Sequence, residues 1–194
     1  MVVGADLVTR DELNVVLDPV NLSLSDLKNR VASISGSFYK EGTQNTLTNF
    51  APTEVDGFTG THAATHGVTA LANGQFEVSE SATYSVSFGC TVIGVPPNYI
   101  FETAHAGLVK YANDGTQVER LCSSITMDNY YMSGNNQSSI GDYLSAVTLT
   151  GSILVDLQAG ERVGILAMSN VVCQIYGHNA NEGARTWLSI HSVN

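Results

Sequence analysis

Residues 74–93 read GQFEVSESATYSVSFGCTVI, and the alternation inside them decides the fold class. From 84 to 92 the even positions are Tyr84, Val86, Phe88, Cys90 and Val92, and the odd ones between them are Ser85, Ser87, Gly89 and Thr91. A side-chain period of two over this length is a strand with one dry face and one wetter face. Just upstream, Phe76-Glu77-Val78 repeats the pattern, and Ser79-Glu80-Ser81-Ala82 supplies a polar turn between the two strands.

The same grammar continues downstream. Residues 99–111 predict a long strand with Gly107 as a bulge, Asn113-Asp114-Gly115 a tight turn, and residues 117–125 the returning strand. Val147, Leu149, Gly151, Ile153, Val155 and Leu157 alternate with mostly polar neighbours. Ala159-Gly160-Glu161 turns the chain, Val163, Ile165 and Ala167 run back, and short strands follow at 174–176 and 186–193. About eight strands separated by turn signals make an antiparallel two-sheet sandwich of the jelly-roll type over residues 68–194. Residues 35–67, punctuated by glycine and asparagine, read as a transition segment holding a short strand at 37–39.

The N-terminal region has a different period. Leu13, Leu17, Val20, Leu24, Leu27, Val31 and Ile34 recur at alternating spacings of four and three, the a/d seam of helices wound on one another. Pro19 and the polar run around Asn21 break the early half, so residues 24–34 predict a short helix and residues 1–22 an arm. A helix that short is marginal alone, and identical copies supply the missing neighbours. Residues 1–34 therefore read as a unit for trimerisation and anchorage.

Composition removes several function classes. Only 13% of residues are charged and the formal net charge is −10, which disfavours nucleic acid and anionic membranes. No stretch has membrane-spanning length, and no basic region followed by an apolar run opens the chain, which predicts synthesis in a reducing cytoplasm without a signal peptide. Cys90, Cys122 and Cys173 form no paired motif and read as buried thiols.

Gly74-x-Phe76-x-Val78 followed by Tyr84-x-Val86-x-Phe88 resembles the successive G-x-F-x-V and G-x-Y-x-F-x-F strands of the complement-one-q and tumour-necrosis-factor superfamily. Gly151-x-x-x-Val155-x-Leu157-x-x-Gly160-Glu161-x-Val163 is similar to that family's penultimate hairpin. Ala82 stands where the family usually has glycine, and Trp187-Leu188-Ser189-Ile190 replaces its closing motif. The resemblance implies a trimeric jelly roll, with Tyr84, Phe88 and Trp187 as candidates for the three-fold interface. A trimeric head on an N-terminal stalk also resembles the fibre and decoration proteins of tailed bacteriophages.

Chemistry is sparse. His62-Ala-Ala-Thr-His66 places two imidazoles four apart, but Gly60 and Gly67 flank them and no glutamate accompanies them, so no metal site is assigned. Asp128, Asn129, Asn135, Asn136 and Asp142 offer oxygen ligands without the spacing of a calcium loop. No nucleophile elbow, phosphate loop or dinucleotide fingerprint occurs, and no catalytic residue or cofactor is expected. Tyr130 and Tyr131, with Asn135 and Asn136, form a loop whose composition suits adaptable contacts with a partner.

The expectation from sequence is a non-enzymatic homotrimeric virion protein, a capsid decoration or head-fibre protein. It is anchored to a capsid or other virion protein through residues 1–34, with the jelly roll projecting outward. The alternative is the receptor-binding tip of a tail fibre, whose loops would meet a glycan or protein on the host surface.

Overall fold

The computed structural model describes residues 33–46, 51–94, 103–127, 146–169, 172–178 and 185–193. Ile34–Asn194 forms one compact unit and Met1–Ser33 another. Within the first of these the described residues build strands only, arranged as two antiparallel sheets that close on a shared core.

The strands are β1 (Ser35–Tyr39), β2 (Thr43–Thr46), β3 (Thr53–Glu54), β4 (Gly60–Thr61), β5 (Val68–Ala70), β6 (Gln75–Val78), β7 (Ala82–Gly94), β8 (Thr103–Tyr111), β9 (Gln117–Met127), β10 (Ala146–Leu157), β11 (Arg162–Ser169), β12 (Cys173–Tyr176) and β13 (Trp187–Ser192). One sheet holds seven of them in the order β2-β12-β7-β13-β1-β4, with β10 also paired to β7. Strand β10 pairs with β7 from residue 82 to residue 93, so β13 and β12 share the other edge of β7, one after the other. The second sheet has six, ordered β5-β6-β11-β8-β9, with β3 paired to β11. Consecutive strands repeatedly fall in opposite sheets, which is the jelly-roll connection.

Strand β7 is the spine, and its alternation is the one in the sequence. Tyr84, Val86, Phe88, Cys90 and Val92 are all buried between the sheets with Phe76, Leu108, Ile165, Leu188 and Ile190. Burying each large apolar side chain stabilises by roughly 1.5–3 kcal/mol. The Tyr84 hydroxyl is not stranded, since it donates to the Glu80 carbonyl at 2.7 Å. Cys90 and Cys173 are free and fully buried, and burial pushes the Cys90 thiol up to about 12, with lesser effects from Cys173 and Lys40. Cys122 is free and partly exposed.

Three expectations need correction. Residues 35–67 are not a transition beside the sandwich, because they supply β1 to β4, and β1 lies between β13 and β4. Ile34, the last position of the heptad seam, belongs to the head's own core, and its carbonyl accepts from the Ser192 amide at 2.8 Å. Burial of Ile34, Gly36, Phe38 and Lys40 has a period of two, so the chain is already extended there. The other seam positions, Leu13, Leu17, Val20, Leu24, Leu27 and Val31, lie outside the described residues.

The third correction concerns residues 151–163, which do not form a hairpin. β10 pairs with β7 and β11 with β6 and β8, so the turn carries the chain from one sheet to the other. The turn is held tightly. Gly160 N–H donates to the Val78 carbonyl at 2.8 Å, Gln158 N–H to Glu161 Oε2 at 2.7 Å, and Lys110 Nζ pairs with the same carboxylate at 2.7 Å. Burial raises the Glu161 carboxyl, but the Gln158 amide and the Lys110 ammonium outweigh it and leave the group below its ordinary value. No bulge falls at Gly107, which pairs regularly with Ser123; the β8–β9 register shifts between Leu108 and Val109 and again between Lys110 and Tyr111.

Candidate interaction face

The outward side of the seven-stranded sheet can be built row by row from the strand register. In an antiparallel pair, directly opposed residues point to the same face. The first row runs Gly60, Tyr39, Trp187, Gly89, Thr150. The second runs Ser37, Ser189, Ser87, Ser152, with the His62 amide donating to the Ser37 carbonyl at 2.9 Å. The third runs His66, Ser35, His191, Ser85, Leu154.

The two large rings of the first row lie down on glycine. A Cβ at Gly89 would stand 2.5 Å from the Trp187 indole nitrogen, and one at Gly60 would collide with the Tyr39 ring. Glycine at these two positions lets each ring cover a neighbouring strand. Tyr39 also touches two imidazoles, His62 at 4.8 Å and His178 at 4.9 Å between ring centroids. Beside this aromatic shelf the four serines make a shallow trough, and its far wall is the histidine row ending in Leu154, which is 63% exposed. Ser189 and His191 are bonded at 2.8 Å along their own strand. Among the described residues no carboxylate forms an ion pair with that imidazole.

Charge is nearly absent from this face. Among the described outward positions of β1, β7, β10 and β13, Asp156 is the lone carboxylate, and there is no lysine or arginine. Asp156 sits at the end of β10 and accepts from the Thr83 hydroxyl at 2.6 Å. In a chain with net charge −10, a sheet face furnished with hydroxyls, rings and histidines is one over which like-charged copies meet less local repulsion.

The six-stranded sheet presents a different outer surface. It carries the Arg162–Glu77 pair at 3.0 Å, and a half-open groove of about 460 Å³ lined by Pro52, His105, Arg120, Leu121, Leu166 and Met168 among others.

The sequence-derived candidates divide. Tyr84 and Phe88 are fully buried inside the protomer and offer no surface to a neighbour. Their even positions are the dry side of β7, whereas an interface on this sheet needs the odd side. Trp187 is partly exposed and lies on the outward face. Tyr130, Tyr131, Asn135 and Asn136 fall outside the described residues, as do the calcium candidates Asp128, Asn129 and Asp142. His62 and His66 lie on a turn and not on a helix, and among the described residues no three metal-ligating side chains cluster. The serine row was missed because serine at alternate positions reads simply as polar. Its meaning appears only when three other strands place serine at the same level.

This two-sheet arrangement recurs in solved structures. The Eiger tumour necrosis factor of S. frugiperda aligns with TM-score 0.59 and 11% identity over 84% of this chain and 93% of that one. The fold is that of tumour-necrosis-factor-like jelly rolls. Murine APRIL aligns with TM-score 0.53 and 12% identity, over 83% of this chain and 99% of that chain in the structure at pH 5.0. Its structure at pH 8.5 gives the same score over 98% of that chain. No protein-family model and no curated protein sequence matches. At such identity the likeness concerns the path of the backbone and not the site residues.

Proposed function

We propose that this chain is a non-enzymatic, homotrimeric structural protein of a virion, a capsid decoration or head-fibre protein with the jelly roll as its outward head. The observation that carries self-assembly is the neutral outward face of the seven-stranded sheet. Rings over Gly60 and Gly89, a trough of four serines and the exposed Leu154 form an apolar-to-hydroxyl surface on an otherwise acidic protomer. The trimer expected for such a jelly roll would bury that face around its axis, with Trp187 and Leu154 as the large apolar contributors. Residues 1–34 serve as the anchor in this reading. Three arms on one trimer turn weak single contacts into firm attachment through effective concentration.

The solution mass of the full chain tests the assembly. Three times the 20.6 kDa protomer mass is expected at neutral pH, and a stable monomer overturns the proposal. Labelled virions test the location. Signal spread over heads is expected, signal at tail ends moves the role to a receptor-binding fibre tip, and absence from virions removes the viral reading. Deleting residues 1–34 should leave a folded head that no longer joins particles.

A further inference from the structure

We infer that self-association through this face is controlled by pH, with histidine as the sensor. The inference rests on the homotrimer reading above and adds its regulation.

Four of the five histidines of the chain are gathered at one side of this sheet. His66 and His191 flank Ser35 in the third row, and His62 and His178 flank the Tyr39 ring in the first. All four are exposed in the protomer, so the fold does not need to bury them. They stand where a second copy would cover them.

The surroundings decide the sign. Facing them from β1 are Ser35, Ser37 and Tyr39, from β13 Ser189 and Trp187, from β7 Ser85 and Ser87, and from β10 Ser152 and Leu154. Few ionised groups lie near the four rings, and one of them, Glu41, is bridged through its backbone to His178. Asp156 is held by Thr83, Glu41 accepts from the Thr59 hydroxyl at 2.7 Å, and Arg185 lies 5.2 Å from the Tyr176 ring centre. Among the described residues no carboxylate forms an ion pair with any of the four imidazoles, so a protonated ring finds no counter-ion among them.

Covering a neutral imidazole with a neutral partner face costs little, whereas covering an imidazolium costs its hydration. Assembly therefore favours the neutral ring and lowers its proton affinity relative to the free protomer. Acid therefore favours the free protomers, which can take up protons that the assembly excludes. Association is then strongest above about pH 7 and weakens toward pH 5. Each position is present in three copies per trimer, so the response of association to pH is steep.

Sedimentation of the full chain at pH 8 and pH 5, with circular dichroism at each pH, tests this. The expected result is trimers at pH 8, protomers with an unchanged β spectrum at pH 5, and recovery of trimers on return to pH 8. A variant carrying His62→Gln, His66→Gln and His191→Gln should show a much smaller ratio between its own association constants at the two pH values. Trimers at both pH values in the unaltered chain overturn the inference and leave the homotrimer reading standing. Protomers at pH 8 overturn that reading itself. Loss of the β spectrum at pH 5 in chain and variant alike assigns the acid response to unfolding and also overturns the inference.

Discussion

The two outer faces of this sandwich are made by the same kind of strand and look nothing alike. The six-stranded sheet shows ordinary surface chemistry, with Arg162 paired to Glu77 and Arg120 open to solvent. The seven-stranded sheet shows rows of serine, histidine and aromatic rings, with Asp156 as the lone carboxylate among its described outward positions. A sheet face left in water gains from charge, because charge keeps copies apart and soluble. A face destined to be covered loses by it, because an ion without a partner must be desolvated. In the reading proposed above, the difference marks the side of the protomer used for contact, although both sides share one core.

The largest expected effect separates core from face. Phe88→Ala removes a fully buried ring from β7 and should cost about 3–5 kcal/mol of protomer stability in a denaturant titration. Trp187→Ala, on the outward side, should cost the protomer less and trimer association more. Equal losses of stability in both variants would erase the distinction between the two sides of the sheet. Next in size is a charge placed in the serine trough. Ser87→Asp, between Ser189 and Ser152, should lower trimer association at least about a hundredfold, near 2.7 kcal/mol, while leaving the fold intact. Ser123→Asp on β9 of the other sheet is the counterpart and should leave the sedimentation profile unchanged. Should it also dissociate trimers, the contacts lie on both faces.

Much of this was legible in the sequence, for a definite reason. The alternation along 84–92 survives in the structure because β7 lies centrally in its sheet, with one side wholly inside the core. What alternation cannot give is the identity of the neighbour. Ala159-Gly160-Glu161 announces a turn, yet the pattern is equally good for a hairpin and for a crossing between sheets, and the second is what occurs. Strands β3 and β4 are two residues long, too short for any period, and their pairing comes from β11 and β1. The face itself was legible only in part. Trp187 announced itself by size, whereas Ser37, Ser87, Ser152 and Ser189 become a feature only through register.

The crossing between the sheets gives the third prediction. Glu161 is held below its ordinary carboxyl value by the Gln158 amide and Lys110, so its contribution is present above that value, 4.5, and is lost as pH falls through the lowered one. Glu161→Gln should cost about 1 kcal/mol near neutral pH, where the carboxylate is ionised, and little near pH 3. Because the responding group is a carboxyl and not an imidazole, this acid response sits below the range in which trimers are expected to dissociate. Thermal melts of chain and variant between pH 7 and pH 3 check it. A stability gap that stays constant across that range would mean that the Glu161 charge is not what fastens the corner.

The smallest effect concerns the six-stranded sheet and asks whether its polar groups are all satisfied. Tyr111 packs against Gly164 and is almost fully buried, and its hydroxyl finds no hydrogen-bond partner of good geometry among the described residues. Burial first, and then the nearby Glu54 carboxylate, pushes this phenol well above its usual range, so it stays protonated. A buried hydroxyl without a partner contributes its ring and loses its hydration. Tyr111→Phe keeps the ring and removes the unmatched oxygen, so its unfolding midpoint should be unchanged or slightly higher, within about 0.5 kcal/mol. A loss above about 1.5 kcal/mol would mean that the hydroxyl donates to Glu54 after all. In that case the β3 segment would be fastened to the six-stranded sheet by a charged bond, and that sheet's outer side would owe its rigidity to ions where the seven-stranded one relies on rings over glycine.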